Sequence, residues 1–188
     1  ASNFEGGTLI NAGSLTLGAS GVLYDYGTVE FADVSGAIFN LADNDEKIGA
    51  LKGGGSSGGN VTLGSATLTT SPMAGSGWAS QSSTYAGIIS GTGALVKEGW
   101  AQLTLTGQNT YSGGTTISSG YIKIGVNNAL LNTGAVTFPG SANATNLIIN
   151  NSFTQTIGNL SGANANAVIQ VIGNLTVTQT NAGTFAGR

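Results

Sequence analysis

The chain contains no histidine and no cysteine. Those absences exclude His-based catalytic triads, thiol nucleophiles, zinc–thiolate sites and a disulfide scaffold. Charge is scarce as well. Lys47, Lys52, Lys97, Lys123 and Arg188 stand against eight carboxylates, for a net charge of −3. So few cations cannot neutralise a row of phosphates, which excludes nucleic acid as a partner. The two prolines, Pro72 and Pro139, are too few for collagen or a proline-rich linker. No apolar run is long enough to span a membrane, and Ala1 does not open a signal peptide. The sequence therefore reads as a mature piece or an excised fragment.

What is present points one way. Thirty-two of 188 residues are glycine, 40% are hydrophobic and 7% are charged, against about 25% charged in ordinary globular chains. Normal hydrophobic content with little charge is not the profile of a disordered chain. Glycine, threonine, serine, asparagine and small aliphatics together indicate an all-β protein with many turns.

The stretch Gly91 to Gly125 organises the reading. Leu103-Thr104-Leu105-Thr106 alternates apolar and polar residues and stops at Gly107. Thr115-Thr116-Ile117 closes at Gly120, and Tyr121-Ile122-Lys123-Ile124 closes at Gly125. Period-two patterning with glycine stops marks half-buried strands between tight turns, with no room for crossover helices. Gly93-x-Leu95-x-Lys97-x-Gly99, Leu103 to Gly107, Asn109-Thr110-Tyr111-x-Gly113-Gly114-Thr115-Thr116-Ile117 and Gly120 follow one another in order. In these residues the stretch resembles the autotransporter-associated β-strand repeat of bacterial passenger proteins. It departs from that pattern at Trp100-Ala101, where the family has a small or polar pair, and at Tyr121.

Internal repetition extends the argument. A shift of 107 residues lays Gly6–Phe31 over Gly113–Phe138, with ten of 26 positions identical. Ile48-Gly49-Ala50-Leu51 meets Ile157-Gly158-Asn159-Leu160, and Thr84-Tyr85-Ala86-Gly87 meets Thr184-Phe185-Ala186-Gly187. The chain thus reads as one β-helix segment over 1–188, with copies 3–87 and 110–187 joined by 88–109. Lys123 lies opposite Thr16, which sets that position toward solvent and the flanking Leu15, Leu17, Ile122 and Ile124 toward the core. Short strands, glycine corners and long-range repetition predict a right-handed parallel β-helix of about eight coils. A β-sandwich is the alternative fold. Gly53 to Gly59 reads as a flexible corner, and Ser71 to Ser83 as the loop that leaves the coil.

Candidate chemistry is thin. Asp43-Asn44-Asp45-Glu46 could offer oxygens to calcium, but it lacks the EF-hand glycine and distal glutamate, so a solvated turn is expected. Asp25, Glu30 and Asp33 are the carboxylates that a polysaccharide-degrading β-helix enzyme would need to converge. The duplicated positions carry Asn132 and Thr137 in place of Asp25 and Glu30, which argues against catalysis. No cofactor is called for. Phe4/Tyr111 and Tyr85/Phe185 recur between copies and read as core or corner fillers. Trp78, in the loop outside the repeat, and Tyr85 are the candidates for a binding surface. Outward Thr-x-Thr pairs follow from threonine's preference for strands.

The expected function is a non-enzymatic adhesive or structural rod. The resemblance implies export across the outer membrane through a C-terminal barrel, then exposure at the cell surface or release. Expected partners are further copies of the chain, through end coils or lateral faces, and host or matrix glycans or proteins. A carbohydrate-binding module and a polysaccharide-degrading enzyme are the competing readings.

Overall fold

Alternation of apolar and polar residues in runs of three to five dictates short strands with one buried face. A computed structural model describes residues 6–72, 82–140, 143–150 and 152–188. Among the described residues there are strands and turns but no helix, and every strand pairing is parallel. A sandwich would require antiparallel hairpins. The chain is instead a parallel β-solenoid of about seven turns.

The first face stacks eight strands in chain order: Thr8–Ile10, Val29–Phe31, Leu51–Gly53, Ser83–Tyr85, Gln102–Leu105, Gly120–Ile124, Thr145–Ile149 and Ala167–Val171. The second face holds Ser14–Thr16, Ile38–Asn40, Asn60–Thr62 and Ile89–Ser90, then Thr154–Ile157 and Asn174–Val177 after a break. The third stacks Glu46–Ile48, Thr67–Thr70, Ala94–Lys97, Thr115–Ile117, Val136–Phe138 and Leu160–Gly162. Coils differ in length. Leu103 pairs with Ile122 nineteen residues on, whereas Gly53 pairs with Tyr85 thirty-two residues on. That longest coil contains the expected excursion, most of which (73–81, with Trp78) lies outside the described residues. Unequal coils bring the number of turns slightly below the eight that even spacing predicts.

Side chains stack in columns. Leu103, Ile122 and Leu147 are partners in successive coils and are almost wholly buried. Leu105, Ile124 and Ile149 form the adjacent column. Each buried aliphatic contributes about 1.5–3 kcal/mol, so stability accumulates coil by coil. Lys123 and the Thr67/Thr69 and Thr104/Thr106 pairs alternate with these residues and are only partly buried. Leu15 packs against the core and Leu17 is buried, as their outward neighbour Thr16 requires.

Corners cannot pair strand to strand, and side-chain amides and carboxylates take over there. Asn60 Oδ1 accepts from Ile88 N at 2.9 Å, Asn109 Oδ1 from Ile89 N at 2.8 Å, and Asn127 Oδ1 from Thr154 N at 2.9 Å. Gln155, fully buried, bonds both the N–H and the carbonyl of Leu130 at 3.0 Å, bridging the break in the second face. The Gly53–Gly59 corner is held rather than loose. Asp33 Oδ1 accepts from Ser57 N at 2.7 Å and from Gly58 N at 3.1 Å.

Aromatics enter where a glycine makes space. Phe31, Gly53 and Tyr85 are successive partners on the first face, and the two rings lie 5.8 Å apart at 57°. Phe138, Gly162 and Phe185 repeat the arrangement on the third face, at 5.4 Å and 59°. A Cβ on Gly53 would sit 2.2 Å from the Phe31 carbonyl oxygen, and its φ of +76° disfavours any other residue.

Candidate binding surface

The carboxylates named from sequence do structural work. Asp43 Oδ1 accepts from Ser65 N at 2.7 Å and bonds Ser65 Oγ at 3.0 Å, while Asp45 Oδ1 accepts from Thr67 N at 2.7 Å. Those bonds hold the Asp43 carboxyl below its ordinary range. Asn44 donates to the carbonyls of Leu17, Leu41 and Ala42. Glu46 turns inward, and its carboxylate accepts from Val22 N at 3.0 Å and Leu23 N at 3.2 Å; burial pushes its pKa up despite those bonds. Among the described residues no three acidic side chains gather as metal ligands would. Glu30 points out from the first face opposite Lys52, and Asp33 is committed to the Gly53–Gly59 corner. Asp25 lies near Glu46 and adds to the rise of that carboxyl's pKa, after burial.

Tyr85 is a filler, as its match to Phe185 suggests, and it offers no binding surface. It is fully buried and its hydroxyl donates to Gly59 O at 2.8 Å. Burial likewise encloses Tyr111, whose hydroxyl lies 2.6 Å from Thr115 Oγ1. Both phenols are pushed well above their ordinary pKa by desolvation.

The residue that sequence reasoning passed over is Lys97. Alternation sets it on the same side as Leu95, and it is fully buried. Its column runs Ile48, Thr70, Lys97, Ile117. The Nζ donates to the carbonyl oxygens of Glu98 and, at 3.0 Å, of Gly99. Burial lowers its pKa from 10.5 to about 8, with Glu98 opposing the shift. Thr70 Oγ1, in the same column, is buried without a hydrogen-bond partner among the described residues.

Above this lysine the corners between the third and first faces enclose a groove of about 460 Å³. Its depth follows from corner length. Only Ser118 and Ser119 separate two strands there, beside the longer corner Glu98–Ala101 of the preceding coil. Trp100 stands on one rim, 55% exposed, and Pro139 and Asn143 stand on the other. The floor is tied down: Ser118 N donates to Lys97 O at 2.9 Å, and Gly99 approaches so closely that a Cβ would lie 2.3 Å from Pro72 O. At the edge Glu98 pairs with Lys47 at 2.8 Å, a bond that raises the Lys47 pKa.

The stacked parallel coils and the glycine-cornered Lys97–Gly99 and Leu103–Ile117 pattern find their match in known proteins. The sequence profile of the Passenger-associated-transport-repeat family matches residues 1–17 and 95–124. Those residues carry the repeat of autotransporter passengers. It is 40% identical over 151 residues to the adhesin BmaC autotransporter of Brucella suis biovar 1, an alignment covering 79% of this chain. The chain spans 4% of that adhesin's length. No solved structure matches it. Within the passenger repeat, Lys97 is thus the lysine of the Gly-x-Leu-x-Lys-x-Gly signature, placed inside the coil as a clamp on its own corner.

Proposed function

We propose that this passenger segment is a non-enzymatic adhesive rod at the cell surface or in the extracellular space. Its stacked coils project binding surfaces away from the outer membrane. The parallel first face, running through eight strands with a continuous core, carries the reading, and the kinship to an autotransporter adhesin supports it. Host or matrix glycans or proteins are the partners. The test is adhesion of beads coated with the purified chain to host-cell and matrix layers. Saturable attachment that heat denaturation of the chain abolishes is expected. Attachment no greater than that of beads carrying an unrelated β-solenoid would refute the proposal.

Self-association through an end coil belongs to the same reading. Val171, Ile172 and Val177 in the last coil are 44%, 56% and 37% exposed, and the strand Asn174–Val177 is paired on one side, whereas Arg188 covers part of the Ala167–Val171 edge through Arg188 N to Ala167 O and Ile169 N to Arg188 O, both at 2.9 Å. Such an edge accepts another strand. The chain is also proposed to be two copies of one unit, 3–87 and 110–187, offset by one face. Thr8–Ile10 on the first face corresponds to Thr115–Ile117 on the third. Local hydrogen bonds recur at the same offset: Gly27 N to Tyr24 O and Gly134 N to Leu131 O, both at 2.8 Å. Glu46 on Leu23 N corresponds to Gln155 on Leu130 N.

A further inference from the structure

We propose that the groove beneath Trp100 is a subsite for a neutral saccharide. This deepens the adhesive reading and rests on it. Trp100 makes no ring contact with another aromatic among the described residues, so no aromatic stack of the core holds its indole. It is more than half exposed, beside a concave surface. An exposed indole offers a flat apolar face with a polar edge, the complement of a sugar ring whose C–H face is apolar and whose rim carries hydroxyls. Around it stand polar side chains with some hydrogen-bonding capacity left: Ser118, Ser119, whose hydroxyl also reaches Gly99 O at 3.4 Å, Asn143, and the Glu98 carboxylate, which shares one oxygen with Lys47.

Charge narrows the ligand. Lys47 is already paired to Glu98, and Lys97 is buried on the corner carbonyls beneath the floor. The groove therefore presents no uncommitted cation to a phosphate, a sulfate or an acidic sugar. Its position narrows the ligand further. An extended peptide docks by adding a strand to an open sheet edge, and this groove lies across corners between paired strands. A volume of about 460 Å³ suits one or two sugar rings, within the range of small-ligand sites. The Lys97 clamp and the close-packed Gly99 fix the floor before any ligand arrives, which lowers the entropy lost on binding.

The test uses the full chain carrying Trp78→Phe, so that indole fluorescence reports Trp100 alone. Neutral trisaccharides of hexose and of N-acetylhexosamine are titrated, and saturation-transfer NMR identifies the ring protons in contact. At least one is expected to give a saturable emission change at concentrations up to about 5 mM, typical of a weak single subsite. Read by saturation-transfer NMR, since no indole then remains, Trp100→Ala should weaken that binding by at least about tenfold, and Trp100→Phe by less, with thermal stability unchanged in both. No saturable response to any of these sugars overturns the subsite. So does a response that survives Trp100→Ala. Bead adhesion measured alongside separates the two proposals. Adhesion that persists in Trp100→Ala without sugar binding sinks the subsite and leaves the adhesive rod standing. Adhesion to a protein layer lost in Trp100→Ala, with no sugar response, reassigns the groove to a protein ligand and also overturns the saccharide.

Discussion

Lys97 shows how a single residue can be legible in pattern and still escape notice. Alternation with Leu95 sets it inside the coil, but a lysine is expected to avoid full burial. The backbone carbonyls of Glu98 and Gly99 resolve the conflict by accepting from its Nζ. Its depressed pKa has a measurable consequence. Between about pH 8 and 10.5 the unfolded chain binds a proton that the folded chain has released, so folding stability rises across that window. Tyr85 and Tyr111 act in the opposite sense. Their phenols stay protonated in the fold while unfolded tyrosine ionises near pH 10, so stability falls above that point. Chemical denaturation against pH should therefore pass through a maximum near pH 10, and Lys97→Met should remove the rising limb. Glycine at position 53 is a second residue-scale case. Gly53→Ala meets both the positive φ and the Phe31 carbonyl, and should cost about 2–4 kcal/mol. Gly18→Ala, with nothing within 4 Å of its added Cβ, should lie within about 1 kcal/mol of the parent. Urea titration of the pair checks the contrast.

At the scale of the element, strands were readable and corners were not. The runs Leu103 to Thr106 and Tyr121 to Ile124 declare their faces by alternation, and the structure buries Leu103, Leu105, Ile122 and Ile124 accordingly. Corner bonds carry no such period. Asn60, Asn109, Asn127 and Gln155 each reach a backbone N–H that is 20 to 28 residues away, a separation that depends on the lengths of individual coils. The groove escapes sequence reading for the same reason, because its depth arises from unequal neighbouring corners. Trp100 was visible as a departure from the repeat, but its exposure was not. Asn109 provides the test of the corner bonds. Its side chain serves Ile89 N, Gly107 O and Ala129 O and is almost fully buried. Asn109→Ala strands Ile89 N and Gly107 O, while Ala129 O keeps the Asn109 N–H, and should cost about 3 kcal/mol in denaturant melts. Gln108→Ala removes one exposed bond, to Asn127 O, and should cost less than about 1 kcal/mol.

At the scale of the whole molecule, parallel coils make three quasi-equivalent faces, which is why residues separated by 100 to 109 positions occupy different sheets yet form the same contacts. The Phe31–Gly53–Tyr85 and Phe138–Gly162–Phe185 stacks are the clearest instance. A unit that need not close an integral number of turns can be copied without regard to face, provided that inward and outward alternation is kept. The same logic shows in the last coil described. Ile149 is fully buried while its partner Val171 is 44% exposed, and Ile157 is fully buried while Val177 is 37% exposed. The exposed aliphatics and the outer edge of Asn174–Val177 are what another coil would cover, and low net charge does little to keep molecules apart. Sedimentation of the parent chain should show concentration-dependent association. Val171→Lys together with Val177→Lys should abolish it, since each cation would be buried unpaired against a second coil. The same two substitutions should leave the trisaccharide response of Trp100 intact, because the groove lies at the corners of earlier coils. A parent chain that remains monomeric at millimolar concentration, or a double variant that associates as strongly as the parent, would remove the end coil as the point of contact.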